Sequence, residues 1–502
     1  MTGSEGLRSR LMRGAMWLGG ARVATNILGF VSTLVLARLL VPADFGLVAL
    51  ATTLLGVLTA MTAISLSDAL VQHEQPEKEH FDTSFTLNLA RGVLVGAFFA
   101  AISVPTAAFF EDARLIELML VLSLTAVLTG LENPKCALFM RDLIFWQQSV
   151  MLVSQKAVAL VVSLTIAFLY QSYWALIIGV VLGQAVSVLL SYALLPYRPR
   201  FTLSKTRDLF SFSIWLTFCN FITTLNWNFD NLLVGKVLGK TSLGYYSMGN
   251  HLAVMPTREV TSPIIGTLFP AFSNLKQAPE RLRAAYQRAQ SIVTAIALPA
   301  GVGMALVADP FVRLAMGEKW LPAVIVIQCL ASIFAIQTLA SLAHPLAMAL
   351  GNTKLLFTRD LIAFAYRVPL LVVGLYLGGL EGIVYMRVFT GLISIYFNAS
   401  IVSRLIEINY WEQLKPNLRT FAGIISMTMA VYAIGVLLPE AVDNIGLAIN
   451  LAALIGGGAV VHIIVVGFAW NFMGRPVGIE DEALALVQNL LRRTRARFMG
   501  PA

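Results

Sequence analysis

Apolar positions gather into stretches of roughly 20 to 27 residues, separated by short polar or charged segments, a spacing that fits helices crossing a bilayer. Fourteen spans are predicted, at 15–40, 45–69, 82–105, 114–133, 147–169, 173–195, 209–235, 243–268, 287–308, 321–343, 355–378, 381–403, 419–438 and 446–471. Helices are expected because a helix satisfies its backbone polar groups within the segment. The first span follows the basic segment 1–13 with no small-residue cleavage site, so it reads as a retained helix and not a signal peptide. Two further segments are helical without spanning: 279–286, with proline in its first turn, and 479–499, with acids early and Arg492, Arg493, Arg495 and Arg497 late. The second either lies on the membrane surface or is a solvated tail.

Polar positions recur at a fixed shift. The stretch 36–50, LARLLVPADFGLVAL, joins the first two apolar runs and has a weaker copy at 234–248, VGKVLGKTSLGYYSM, placing Arg38 on Lys236, Leu40 on Leu238 and Gly46 on Gly244. The run before each copy carries a polar stripe: Arg22, Asn26, Gly29 and Thr33 in one, Asn220, Thr224, Trp227 and Asn231 in the other. Farther on, Phe81 and Pro105 match Tyr286 and Pro310, Asn133-Pro134 matches His344-Pro345, and Lys156 falls on Arg367. Two homologous halves of this length in an apolar chain point to a transporter of two bundles with its site between them. The expected division is 1–14, a cytoplasmic terminus; 15–195, a first six-helix lobe; 196–208, a basic linker; 209–403, a second lobe; 404–471, a final helix pair; and 472–502, a cytoplasmic amphipathic tail.

Composition agrees, with 58% hydrophobic and 13% charged residues among 502, too little polar surface for a soluble protein of this size. The three cysteines, Cys136, Cys219 and Cys329, and the five histidines show no metal-ligand spacing, so free thiols and no metal site are expected. Loops joining odd to even spans hold only about six basic residues, against about two dozen in the opposite loops and the termini, which places both termini in the cytoplasm. The net charge of +9 then faces anionic lipid and needs no nucleic acid as partner.

Charged residues inside spans are the candidate chemistry. A charge at mid-membrane costs about 2.5 to 3.5 kcal/mol on insertion scales, so it faces a bundle interior or a wet cavity. Asp68, Glu132 and Arg387 lie near span ends and either reach the interface or are structural. Arg22 also lies inside a span; Arg91, Lys156, Arg258 and Arg367 lie deeper and outnumber the deep acids Asp230 and Glu259. A cavity with that excess selects an anion, and guanidinium groups grip phosphate oxygens bidentately. Asp230 and Glu259 either bind a coupling H+ or Na+ or pair with neighbouring arginines. No nucleophile and base pair, phosphate loop or metal cluster is present, so no enzyme and no other cofactor is expected.

The segments GAMWLGGARVATNILGFVSTLVLARLLVPADFGLVALA, FDNLLVGKVLG, LFPAFSNL and MGEKWLPA resemble the polysaccharide transporter family: Wzx-type flippases of lipid-linked oligosaccharides, nearest the succinoglycan and colanic acid exporters. These belong to the superfamily that also holds the drug and toxin antiporters and the lipid II flippase. The resemblance implies an all-α fold of two six-helix lobes in a V, plus a helix pair. It further implies alternating access in the bacterial inner membrane, moving undecaprenyl-diphosphate-linked repeat units for exopolysaccharide synthesis, alongside a polysaccharide polymerase and co-polymerase. On that reading Arg22, Asn26, Arg91, Lys156, Asn220, Arg258 and Arg367 line the diphosphate and sugar cavity. The family's loop motif is matched by Arg38, Pro42, Asp44, Phe45 and Gly46, and its second copy keeps Lys236 and Gly244 but has Lys240 for Pro42 and Ser242 for Asp44. A cation-coupled drug exporter and a lipid II flippase are the competing transporters. A membrane polymerase or transferase would need an outer loop longer than the roughly dozen residues found here, or a soluble domain with acidic ligands.

Overall fold

The computed structural model describes residues 2–63, 66, 70, 76–141, 145–206, 214–439 and 443–475. Asp68 and the tail helix expected at 479–499 lie outside them. Among the described residues the regular structure is helical. The principal helices are α1 (Thr2–Leu39), α2 (Pro42–Met61), α3 (Lys78–Ala101), α4 (Ser103–Phe110), α5 (Arg114–Gly130), α6 (Phe145–Tyr170), α7 (Trp174–Leu194), α8 (Ile214–Val237) and α9 (Gly239–Leu275). They continue with α10 (Pro279–Leu306), α11 (Ala308–Ala315), α12 (Ala323–Gln337), α13 (Ala343–Ala349), α14 (Thr353–Ile406), α15 (Leu418–Leu437) and α16 (Asn444–Phe472).

Ten helices among the described residues are long and apolar enough to cross a membrane. That number and the fourteen expected spans differ for physical reasons. Helix α5 has only 17 residues, while α8 and α9 are diluted by their polar positions. Helix α14, at 54 residues, is two helices joined at Gly378 (φ −152°) and Gly379 (φ 55°, ψ −128°), the second a conformation that glycine alone adopts cheaply. Over the described residues each expected span thus falls largely on helix, and the chain is a multi-pass helical membrane protein. Exposed apolar side chains such as Ile463, Phe468 and Phe472 on α16 are what a helix surrounded by lipid presents.

The chain divides into two compact units, 1–247 and 248–502, the boundary falling inside α9. In the first unit, Leu36, Leu40, Ala167 and Ala175 form one packed cluster, and Leu66, Leu70, Phe81, Phe85 and Tyr197 another. The basic linker enters this unit as an extended strap along the first turns of α3. Tyr197 donates its hydroxyl to Asp82 at 2.5 Å, and the backbone N–H groups of Arg200 and Thr202 donate to Asp82 and to the Thr86 hydroxyl. In the second unit, Phe272, Tyr286, Val293, Leu342, Leu346 and Val402 share a core. Helix α9 continues through Pro256, Pro263 and Pro270, although each proline removes a donor from its ladder.

Candidate functional site

Two features of the first unit bring together residues marked by the sequence. One is the polar stripe of α1. Lys156, on α6, extends its side chain over Gly29: a Cβ on Gly29 would lie 3.0 Å from Lys156 Cε and 3.3 Å from Nζ. The lysine crosses α1 where that helix has no side chain, and its ammonium joins the stripe of Arg22 and Asn26. Arg22 and Lys156 are exposed, Asn26 is half-buried, and neither cation has an acidic partner within 4.0 Å among the described residues. Arg22 and Gly29 are two turns apart, about 10 Å along the axis. The result is a polar face bearing two positive charges, able to hold an extended anion.

The other feature is a closure at the opposite end of the same unit. Helix α1 ends at Arg38 and Leu39, Val41 is extended (φ −92°, ψ 155°), and α2 opens with Pro42 in the first helical position, where the missing N–H and fixed φ suit a helix start. Asp44, half-buried, accepts the Val41 N–H at 3.4 Å, favoured as an acid in a first turn. These local causes aim α2 so that it crosses the start of α9, and the two glycines matched by the repeat become the crossing point. A Cβ on Gly46 would overlap the Lys240 carbonyl oxygen, and one on Gly244 the Pro42 carbonyl oxygen.

The loop between α4 and α5 locks this crossing. Asp112 accepts from Arg114 Nη2 at 2.8 Å and from Lys240 Nζ at 2.7 Å. Lys236 donates to the Phe109 carbonyl at 2.6 Å, pairs with Glu111 at 3.3 Å, and lies 4.6 Å from the centre of the Phe109 ring. Leu47, Leu50, Phe110, Leu115 and Gly235 border a small cavity of about 340 Å³ behind the lock. Glu111 and Asp112 escaped the sequence reading. Two adjacent acids in a loop on the side that also carries Lys236 and Lys240 were the available signal. Lys240, which looked like a degraded Pro42, supplies both a carbonyl for the glycine contact and an ammonium for Asp112.

Hydrogen bonds from Arg114, opposed by burial and joined by Lys240, hold the Asp112 carboxyl well below the usual carboxylate range. A depressed value means the pairing contributes above the ordinary carboxylate pKa and is lost only as pH falls through the lowered one. The closure should therefore be flat from about pH 5 to 8. Asp112→Asn should loosen it at every pH in that window. Labelling of a cysteine placed at Leu238 by a membrane-impermeant maleimide would check both, with faster labelling expected only in the variant.

The remaining residues are placed separately. Arg91, half-buried on α3, donates from Nε to Thr62 Oγ1 and from Nη2 to the Thr59 carbonyl, each at 3.3 Å. It sits at the C-terminal end of α2, where the helix dipole favours a cation. Asp230 is buried on α8 and accepts the Tyr246 hydroxyl at 2.6 Å, and Asn220 is exposed on the same helix. In the second unit Arg258 and Glu259 are exposed on α9, whereas Arg367 is buried. Arg387, also buried, has its guanidinium 5.8 Å from the centre of the Phe334 ring.

Residues 35–325 match a family described as polysaccharide biosynthesis protein. The lipopolysaccharide biosynthesis protein WzxC of Escherichia coli (strain K12) is 26% identical over 385 residues, covering 75% of this chain and 77% of that protein. The succinoglycan biosynthesis transport protein ExoT of Rhizobium meliloti (strain 1021) is 28% identical over 355 residues, covering 70% and 71%. Among solved structures, the lipid II flippase MurJ in an inward closed conformation shares the fold with a TM-score of 0.70 at 15% identity, over 91% of this chain and 99% of that one.

Proposed function

The chain belongs to the polysaccharide biosynthesis protein family, matched over residues 35–325, and from that premise we propose that it is a flippase moving undecaprenyl-diphosphate-linked oligosaccharide repeat units across the inner membrane for exopolysaccharide synthesis. One coincidence carries the reading: relatives named for polysaccharide biosynthesis and transport, on a fold shared with a lipid II flippase. The chemistry is consistent with it, since moving such a lipid breaks no bond and needs only that two phosphates be sheltered from hydrocarbon. Arg22, Asn26 and Lys156 in the first unit supply such shelter, and Asn220, Arg258 and Arg367 are assigned to the same path.

The glycine-crossed end is assigned to the periplasmic side, because the loops there are poor in bases. Three of the bases there pair with local acids: Lys236 with Glu111, and Lys240 and Arg114 with Asp112. Alternating access then requires the Gly46–Gly244 crossing and its lock to open and close in each cycle. H+ or Na+ coupling is assigned to Asp230 and Glu259. Transport rates indifferent to imposed proton and sodium gradients would remove that assignment.

Disruption of the gene is the test. Growth should continue, extracellular polymer should disappear, and lipid-linked repeat units should accumulate on the cytoplasmic leaflet. Arrested growth with polymer still made would instead favour the lipid II reading, to which the fold alone lends support.

A further inference from the structure

An open groove of about 560 Å³ runs between the middle of α1 and the early turns of α6, bordered by Trp17, Gly20 and Ala24 on one side and Ser149, Val153 and Ser154 on the other. Its volume is within the range of small-molecule sites. Its walls are mostly apolar, and Trp17 is 52% exposed at its mouth. A Cβ on Gly19 or Gly20 would meet nothing within 4 Å, so packing does not demand glycine at either place; the small residues leave width.

The groove leads to a charge. Positions 149, 153 and 156 follow one face of α6 by steps of four and three, so Lys156 continues the line of Ser149 and Val153. Arg22 lies on the adjoining face of α1, between groove residues Ala21 and Ala24 in sequence. Both cations lack an acidic partner within 4.0 Å among the described residues. An apolar channel ending at free positive charge suits an amphiphile with an anionic head. A soluble anion would have no use for the channel, and a neutral lipid none for the lysine.

Depth distinguishes the lipids. Lys156 lies nine residues into the span expected at 147–169, about 14 Å along the helix axis, below the level where the phosphate of a resident phospholipid sits. Only a lipid whose head is being carried across presents phosphate there. We propose that the groove holds the phosphate-proximal isoprene units of the polyprenyl chain of the transported lipid, with Lys156 at its diphosphate. This deepens the flippase reading and rests on it. The rest of the chain, too long for the groove, stays in the bilayer.

Binding to the purified full-length protein, with geranylgeranyl diphosphate and inorganic diphosphate as probes, tests the assignment. Gly20→Leu is the first variant, because the open space around that position lets it fold; Ala24→Trp is the second. Each should weaken geranylgeranyl diphosphate at least tenfold and leave inorganic diphosphate unchanged, whereas Lys156→Ala should weaken both. Excess phosphatidylglycerol should not displace the prenyl probe. Wild-type affinity in both groove variants, or displacement by phosphatidylglycerol, would overturn the groove assignment while leaving the flippase reading intact. Failure of the wild type to bind geranylgeranyl diphosphate while it binds inorganic diphosphate would likewise overturn the groove assignment alone.

Discussion

Gly46→Ala and Gly244→Ala should each abolish polymer export while leaving the protein in the membrane. Both glycines bring α2 and α9 into backbone contact, and a methyl group at either would overlap a carbonyl oxygen of the facing helix. Unlike a flexible side chain, a backbone carbonyl cannot swing aside, so the helices must separate. Overpacking of this kind costs about 1 to 3 kcal/mol or more, and each 1.4 kcal/mol shifts an equilibrium tenfold. The closed end would become a minor state, and a cycle that must pass through it would slow by at least tenfold. Quantifying polymer in a deletion strain carrying each variant, with immunoblotting of the membrane fraction, checks the prediction. Raised maleimide labelling at Leu238 in the same variants would identify the opened end as the cause.

Lys156→Ala should be about as severe for a different reason. Two unit charges at 4 Å interact by about 4 kcal/mol at an intermediate dielectric, before desolvation is subtracted, so losing one ammonium from the path should reduce transport at least tenfold. Lys156→Arg, which keeps the charge, should retain most activity. The geometry adds a sharper expectation: Gly29→Leu should impair transport in the same direction as Lys156→Ala, since a leucine at 29 competes for the space held by the end of the lysine side chain. Because both changes act on one interaction, the double variant should be little worse than either single one. Arg258→Ala is a clean companion, its side chain being exposed. Arg367→Ala is less clean, because a buried arginine cannot be removed without disturbing its surroundings.

What was legible in the sequence divides along a physical line. Helices were legible because bilayer thickness imposes a length on every apolar run, and even the break in α14 fell in the gap left between 378 and 381, where consecutive glycines permit a turn. The glycine pair was legible as a repeat, since Gly46 and Gly244 occupy equivalent places. That the two copies would pack on each other was not, because a repeat gives equivalence and says nothing about contact. The depth of Lys156 could be counted along its span, but its passage over Gly29 depends on how α1 meets α6. Arg91 shows the same limit: its depth invited a cavity, while its neighbours are the last turn of α2 and the Thr62 hydroxyl. Asp112 was missed because a loop acid acquires meaning only from the cations that the fold brings to it.

Flipping of a fluorescent undecaprenyl-diphosphate-linked oligosaccharide by the purified protein in proteoliposomes tests the central claim most directly. The account predicts that the wild type moves the lipid between leaflets, that Lys156→Ala and Arg258→Ala slow it at least tenfold, and that Lys156→Arg stays close to wild type. Wild-type speed in both alanine variants, or no movement by the wild type, would contradict it.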